Sequence, residues 1–322
     1  MAIPSNTYTR VTAGTNVRED LIDKITRTDP ELTPVVSGSG TDTADNTLHE
    51  WQRDGLRAFN KDNASLDGDD TASAAKAPPL RVGNITQIFK DVIQVSGRAE
   101  KVKKAGMKSA MAYNKAKAYK ELQRDLEAAV LSKNLAVPDN GTNAGKLAGL
   151  GRMIYTNAFH GTSGATPAHT SGAATSAITA GTNRTFTELL LKAAVQATYT
   201  VSGMCPPQVV MSPSHKVAFS AFVGIAANRL DLKSAKQGKI IGGADVYVSD
   251  FGNLEVVPHY IMAGADYVLG LDTEYIDIAY LRAFNSSPLA KTGDSDREQV
   301  LVDATLRLRS ENCQFKIDNL TP

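Results

Sequence analysis

Residue types that do chemistry occur in this chain, and their spacing decides whether they can act together. Gly141-Thr142-Asn143-Ala144-Gly145-Lys146-Leu147 has the outline of a phosphate-binding loop. That loop needs four residues between its glycines, so that backbone N–H groups can wrap a phosphate, and a Ser or Thr after the Lys to hold magnesium. Here three residues separate the glycines and Leu147 follows the Lys, so the stretch predicts a turn. Asp250-Phe251-Gly252 copies a magnesium-binding kinase tripeptide, but neither the partner catalytic loop nor a glycine-rich strand loop accompanies it, and it too predicts a hairpin turn. His49, His160, His169, His215 and His259 are scattered, with no His–carboxylate spacing that would hold a metal. Asp67, Asp69 and Asp70 around Gly68 lack the alternating oxygens and terminal Glu of a calcium loop. Ser163 lies in HGTSG, which is not a nucleophile elbow. Cys205 and Cys313 are the only cysteines, too far apart in sequence for a zinc knuckle or a disulfide framework, and they point to a reducing compartment. No catalytic, cofactor-binding or metal-binding residue is therefore assigned, and no cofactor is expected.

The chain is organised around residues 80 to 133. Val82, Ile85, Ile88, Phe89, Val92, Ile93 and Val95 predict an extended segment with apolar groups on both faces. Ser96-Gly97 breaks it. From Met107 to Lys133 no Gly or Pro intervenes, and Ala112, Ala116, Tyr119, Leu122 or Gln123, Leu126, Ala129 and Val130 recur at helical spacing. At ~1.5 Å per residue this helix is about 40 Å long, a spine rather than an ordinary globular helix. Lys108, Lys115, Lys117, Lys120, Glu121, Arg124, Asp125 and Glu127 are expected on its solvated faces.

Before the spine, residues 1–46 are rich in Thr, Ser, Asp and Gly. Val17, Leu21, Ile22 and Ile25 fit a short helix over residues 16–25, while Pro30, Pro34 and the SGSGTDT run from Ser37 exclude regular structure after it. Such an arm is expected to be disordered or to lie along another subunit. Residues 47–57 read as a strand with alternation at Leu48, Glu50 and Gln52. It leads to a polar tip, 58–79, from which the chain returns through the strand at Val82: an extended hairpin reaching away from its own core.

After the spine come a turn-rich connection and then residues 156–185, almost wholly small and polar, which read as a surface insertion or flexible loop. A helix over 186–201 is stopped by Gly203. A buried strand follows at 208–211, then a helix opened by Ser212-Pro213. Strands follow at 239–248, 254–257, 267–271 and 276–281. Residues 297–317 alternate well (Val300, Val302, Ala304, Leu306, Leu308) and predict one long terminal strand.

The chain has 322 residues, about two domains' worth. Hydrophobic residues make up 42%, and 35 Lys and Arg balance 34 Asp and Glu, so no global field steers it to nucleic acid or an anionic membrane. The first residues do not read as a signal peptide and no apolar run of ~18 residues occurs, so no membrane partner is expected.

Arm, extended hairpin, spine helix, α+β unit and returning terminal strand follow in an order that resembles the major capsid proteins of tailed bacteriophages, the Hong Kong 97-type fold. Three stretches carry the resemblance: VGNITQIFKDVIQVSGRAEKV from Val82, KAKAYKELQRDLEAAVLSKN from Lys115, and LAKTGDSDREQVLVDATLRLRSENCQFKIDNL from Leu289. They are similar to a branch with a VREDLIDKI-like start, a helix end followed by Asn, a TGD turn, and a final strand in which Thr305, Leu306 and Arg309 fit.

The resemblance implies an α+β fold with an N-terminal arm (1–46), an extended hairpin and return strand (47–99), a peripheral domain with spine helix and insertion (100–185), an axial domain (186–282) and terminal strands returning to the peripheral domain (283–322). It implies a structural protein, not an enzyme, that self-assembles as hexamers and pentamers into an icosahedral viral head around double-stranded DNA, contacted without sequence specificity. Portal and scaffold or decoration proteins are the implied partners, with any scaffold a separate chain. The implied location is the virion, assembled in the host bacterial cytoplasm. Some relatives cross-link Lys to Asn side chains; no such pair is matched here. The shell of an encapsulin-like cellular nanocompartment resembles the same fold, and a hydrolase with an unseen site is the other open class.

Overall fold

The computed structural model describes residues 25, 29–68, 76–222 and 245–321. The predicted helix over 16–25 lies outside these residues except for Ile25, as does most of the predicted strand over 239–248.

The spine is one helix, α3, Ala110–Leu131. Ser109 caps it by accepting from Ala112 N at 3.1 Å. Leu122, Leu126 and Val130 are fully buried along one face, as the spacing predicts. Glu127 departs from expectation: it is fully buried rather than solvated.

α3 packs on a four-stranded sheet ordered β1 (Gly40–Thr43), β11 (Ile276–Pro288), β12 (Ser295–Leu308), β4 (Gln87–Ser96). Val300, Val302, Ala304, Leu306 and Leu308 of β12 are buried in the same apolar cluster as Leu122 and Leu126. The spine and the terminal strand thus supply each other's missing face, although more than 160 positions separate them. The TGD turn joins β11 to β12, with Gly293 at φ +77°.

Four sequence expectations are corrected by the sheets. The extended segment from Leu80 to Ser96 is two strands, not one: β3 (Leu80–Ile85) pairs with β2 (Leu48–Arg53) in a separate sheet, and the chain crosses to β4 after Thr86. Asn84 fixes the crossing. Its amide donates to Ala148 O (3.0 Å) and Leu306 O (2.9 Å), and its oxygen accepts from Ala148 N (2.8 Å) and Ile85 N (2.9 Å). In β2 the buried residue is Trp51, opposite in parity to Leu48, Glu50 and Gln52, because its indole N–H reaches Leu308 O at 3.0 Å.

Second, the long terminal strand stops at Leu308. After a turn, β13 (Phe315–Ile317) joins a six-stranded sheet ordered β5 (Ala158–Phe159), β13, β10 (Val268–Leu271), β7 (Gln208–Met211), β9 (Gly252–Pro258), β8 (Val246–Ser249). Val209 and Met211 face helices α5 (Glu188–Ser202) and α6 (Pro213–Ser220) on one side, while Val210 joins the spine's cluster on the other. Gly270 is required in β10, since a Cβ there would lie 2.1 Å from the Phe315 ring. Gly203, at φ +72°, ends α5 as predicted.

Third, residues 156–185, read as a surface insertion or flexible loop, contain paired strands. β5 pairs with β13, and β6 (Gly172–Ala173) pairs with β3. Small side chains let this segment lie close against the body, and the buried Arg152 guanidinium donates to Ser176 O (2.7 Å) and Pro167 O (3.0 Å) within it. Fourth, the segment after Pro30 is regular: Pro34 opens a short helix, α1 (Pro34–Gly38), and Gly40–Thr43 is the parallel edge strand β1.

Candidate functional site

The motifs singled out for chemistry resolve into turns. Gly141 sits at φ +79° in a loop closed by the Val137–Lys146 bridge, and Leu147 is fully buried. Asp250 and Phe251 form the two-residue turn between β8 and β9, with Ser249 opposite Gly252. Ser163 is a loop residue at φ +67°. Asp67 and Gly68 lie in an exposed turn. Among the described residues no three His, Cys, Asp or Glu side chains are grouped to hold a metal ion.

His169, His215 and His259 are buried, and each has a structural partner. His259 matters most, because it meets Glu127. Ile261 N donates to His259 Nδ1 (3.2 Å), so the proton is on Nε2, which donates to Glu127 Oε1 at 3.0 Å. The same carboxylate accepts from Val35 N (2.9 Å) and Val36 N (2.7 Å). Thr33, the residue before α1, makes no side-chain cap. Glu127 therefore caps α1 from another element, satisfying the orphan donors of its first turn and pinning the arm to the spine. The signal in sequence was its position: Glu127 falls between Leu126 and Val130 and one turn before Leu131, inside the buried arc.

Glu127→Ala is expected to destabilise the protomer by about 3–5 kcal/mol, since two backbone N–H groups and an imidazole N–H lose their acceptor in a buried site. Thermal melts measure the loss, and hydrogen exchange at Val35 and Val36 should accelerate more than at the rest of the core.

A second charged cluster joins the two apolar cores. Lys133 Nζ donates to Asp266 (2.6 Å) and Asp318 (2.9 Å). Lys316 Nζ donates to Gly151 O (2.6 Å) and Thr166 Oγ1 (2.8 Å) and stands 3.4 Å from Asp318. His160 Nδ1 is 3.6 Å from Asp318, beyond hydrogen-bond reach. Burial pushes Lys316 down to about 8 against the pull of Asp318. Burial opposes the Asp318 charge as well, but Lys316 and Lys133 together hold its carboxyl well below the usual range.

This cluster gives a pH dependence with a defined sign. Folded Lys316 releases its proton near pH 8, whereas the unfolded chain holds it to 10.5. Below pH 8 the fold bears the full cost of a buried ammonium, and between pH 8 and 10 stability should rise by up to about 3 kcal/mol. Lys133, raised by its two carboxylates against burial, and Tyr267, raised mainly by burial, lose their contributions only above pH 10. Urea titration of the protomer across this range checks the slope, and Lys316→Met should flatten it.

Part of the apolar surface outside the cores lies on the β2–β3 hairpin extension and on an edge strand. Beyond the β2–β3 hairpin, Leu56 (101% exposed), Phe59 (97%) and Leu66 (81%) touch no core. On the outermost strand β8, Val246 and Val248 are bare. Large apolar groups held in solvent on an extension invite a protein partner.

The family model described as SU10 major capsid protein matches residues 3–321. The major capsid protein of Escherichia phage Phieco32 is 33% identical over 103 residues, so the match spans 32% of this chain and 29% of that protein. Among solved structures, the Cyanophage A-1(L) capsid asymmetric unit superposes with a TM-score of 0.65 at 13% identity, covering 98% of this chain and 100% of that one. The capsid of the empty GTA particle gives 0.62 at 13% identity, covering 99% and 100%. A chain of Mycobacterium phage Bobi gives 0.58 at 11% identity, covering 98% and 99%. These likenesses establish the fold, the α+β Hong Kong 97-type, over the length of the chain.

Proposed function

This chain belongs to the SU10 major capsid protein family, and we propose that it assembles as hexamers and pentamers into the closed icosahedral head of a tailed bacteriophage, around double-stranded DNA. The observation that carries the reading is the family match over nearly the whole chain. The bare hairpin extension supports it physically, because Leu56, Phe59 and Leu66 pack into no core among the described residues. Permanent assemblies bury about 2,000 Å² or more per interface, and an extension is an economical way to reach that area.

In this reading residues 1–46 are the arm, 47–99 the extended hairpin and return strand, 100–185 the peripheral domain, 186–282 the axial domain, and 283–322 the terminal strands. Portal and scaffold or decoration proteins are its partners, and assembly takes place in the host bacterial cytoplasm. The protomer performs no reaction. The family and the Phieco32 relative favour a virion shell over a cellular nanocompartment.

Single-particle imaging of the purified protein tests this. Closed shells, with pentamers and hexamers as their dissociation products, are expected. A compact monomer by sedimentation at every concentration would overturn the proposal.

A further inference from the structure

We propose that the elbow between α2 (Gly97–Lys101) and the start of α3 is a phosphate-binding face that meets the packaged double-stranded DNA, an inference that rests on the shell reading above. The chain as a whole is charge-balanced, but residues 98–108 carry Arg98, Lys101, Lys103, Lys104 and Lys108 against Glu100 alone. Arg98, Lys101, Lys103 and Lys108 are exposed and form no ion pair among the described residues, whereas Lys104 has Glu100 at 3.8 Å.

The contrast lies a turn further along the same helix, where Lys115 is paired with Glu298, Lys117 with Glu121 and Lys120 with Glu31. Glu100 also does little to screen the elbow, because its carboxylate is engaged inward, accepting from Ala110 N at 3.0 Å at the first turn of α3.

The composition decides the class of partner. Cores of protein interfaces are depleted in lysine and rich in aromatic groups. The elbow offers four cations that are unpaired among the described residues, on long flexible stems, and Val102 is its one exposed large apolar side chain. Such a surface has little shape to match and much charge to give. Duplex DNA, with one negative charge per ~1.7 Å and no demand for base readout, fits it. An acidic segment from another copy of this chain is the competing occupant, and the test separates the two.

Full particles, and the same particles emptied of DNA, are treated with a small lysine-acylating reagent that passes the shell, and adducts are read by mass spectrometry. Lys101, Lys103 and Lys108 should be modified several-fold less in full particles, while Lys192, exposed on α5, should be modified equally. Equal labelling of the elbow in full and empty particles overturns the inference and leaves the shell reading intact. Protection in both, lost only when shells dissociate, means that protein covers the elbow and overturns it too. A chain that forms no particle overturns both readings.

As a second readout, dissociated capsomers carrying R98E, K101E, K103E and K108E should bind duplex DNA with a log K against log salt slope shallower by about 3–4 than the parent. An unchanged slope counts against the proposal.

Discussion

Leu126→Asp is expected to unfold the protomer, and Lys117→Asp is expected to leave it folded. The two positions lie on opposite faces of α3. Leu126 is fully buried between the spine and the sheet containing β12. Removing its side chain alone costs about 2–5 kcal/mol through lost transfer energy and the cavity left behind. The carboxylate adds several kcal/mol more, because no cation of α3 faces the buried arc. Together these approach the whole stability of an ordinary domain, about 5–15 kcal/mol.

Lys117 is more than half exposed and meets Glu121 at 3.4 Å, one turn along the helix. Its replacement by Asp exchanges a weak attraction for a weak repulsion, a change of a few tenths to about 1 kcal/mol. Circular dichroism and thermal melts of both variants decide the matter. Equal stability of the two would mean that the spine does not pack on the sheet through this face.

The second large effect is on assembly with no effect on folding. Leu56→Ser, Phe59→Ser and Leu66→Ser together should leave the melting temperature of the protomer unchanged, because all three side chains are already in solvent. Each would lose about 2 kcal/mol of burial at a contact between copies, and a closed shell repeats that loss in every subunit. Shells should therefore be absent by sedimentation and imaging at concentrations where the parent chain assembles fully. Deleting residues 60–75 should do the same. Normal shells from the triple variant would show that the extension is not a contact, whatever the rest of the protein assembles into.

Much of the fold was legible in the sequence because it rests on local periodicity. The long uninterrupted spacing of Leu122, Leu126 and Val130 determined the spine and its buried face. Ser212-Pro213 determined the start of α6, Gly203 the end of α5, and Asp250-Phe251 the turn after β8. The pairing of β2 with β3 was equally readable, since a strand, a polar tip and a returning strand are contiguous in the chain.

What only the tertiary structure decided are the partners of charged and small residues. Glu127 looks solvated by type, yet it is buried because α1 brings two unpaired N–H groups to it and His259 brings a third donor. Residues 156–185 look like a loop by composition, yet Arg152 and the edges of β3 and β13 hold them. The segment from Arg297 to Ile317 alternates without a break, yet it feeds two sheets, because a strand's period of two says which residues share a face and not which neighbour pairs with it. Periodicity is written in a few consecutive residues. A hydrogen-bond partner lying 91 or 132 positions away, as for Glu127, exists only once the chain has closed on itself.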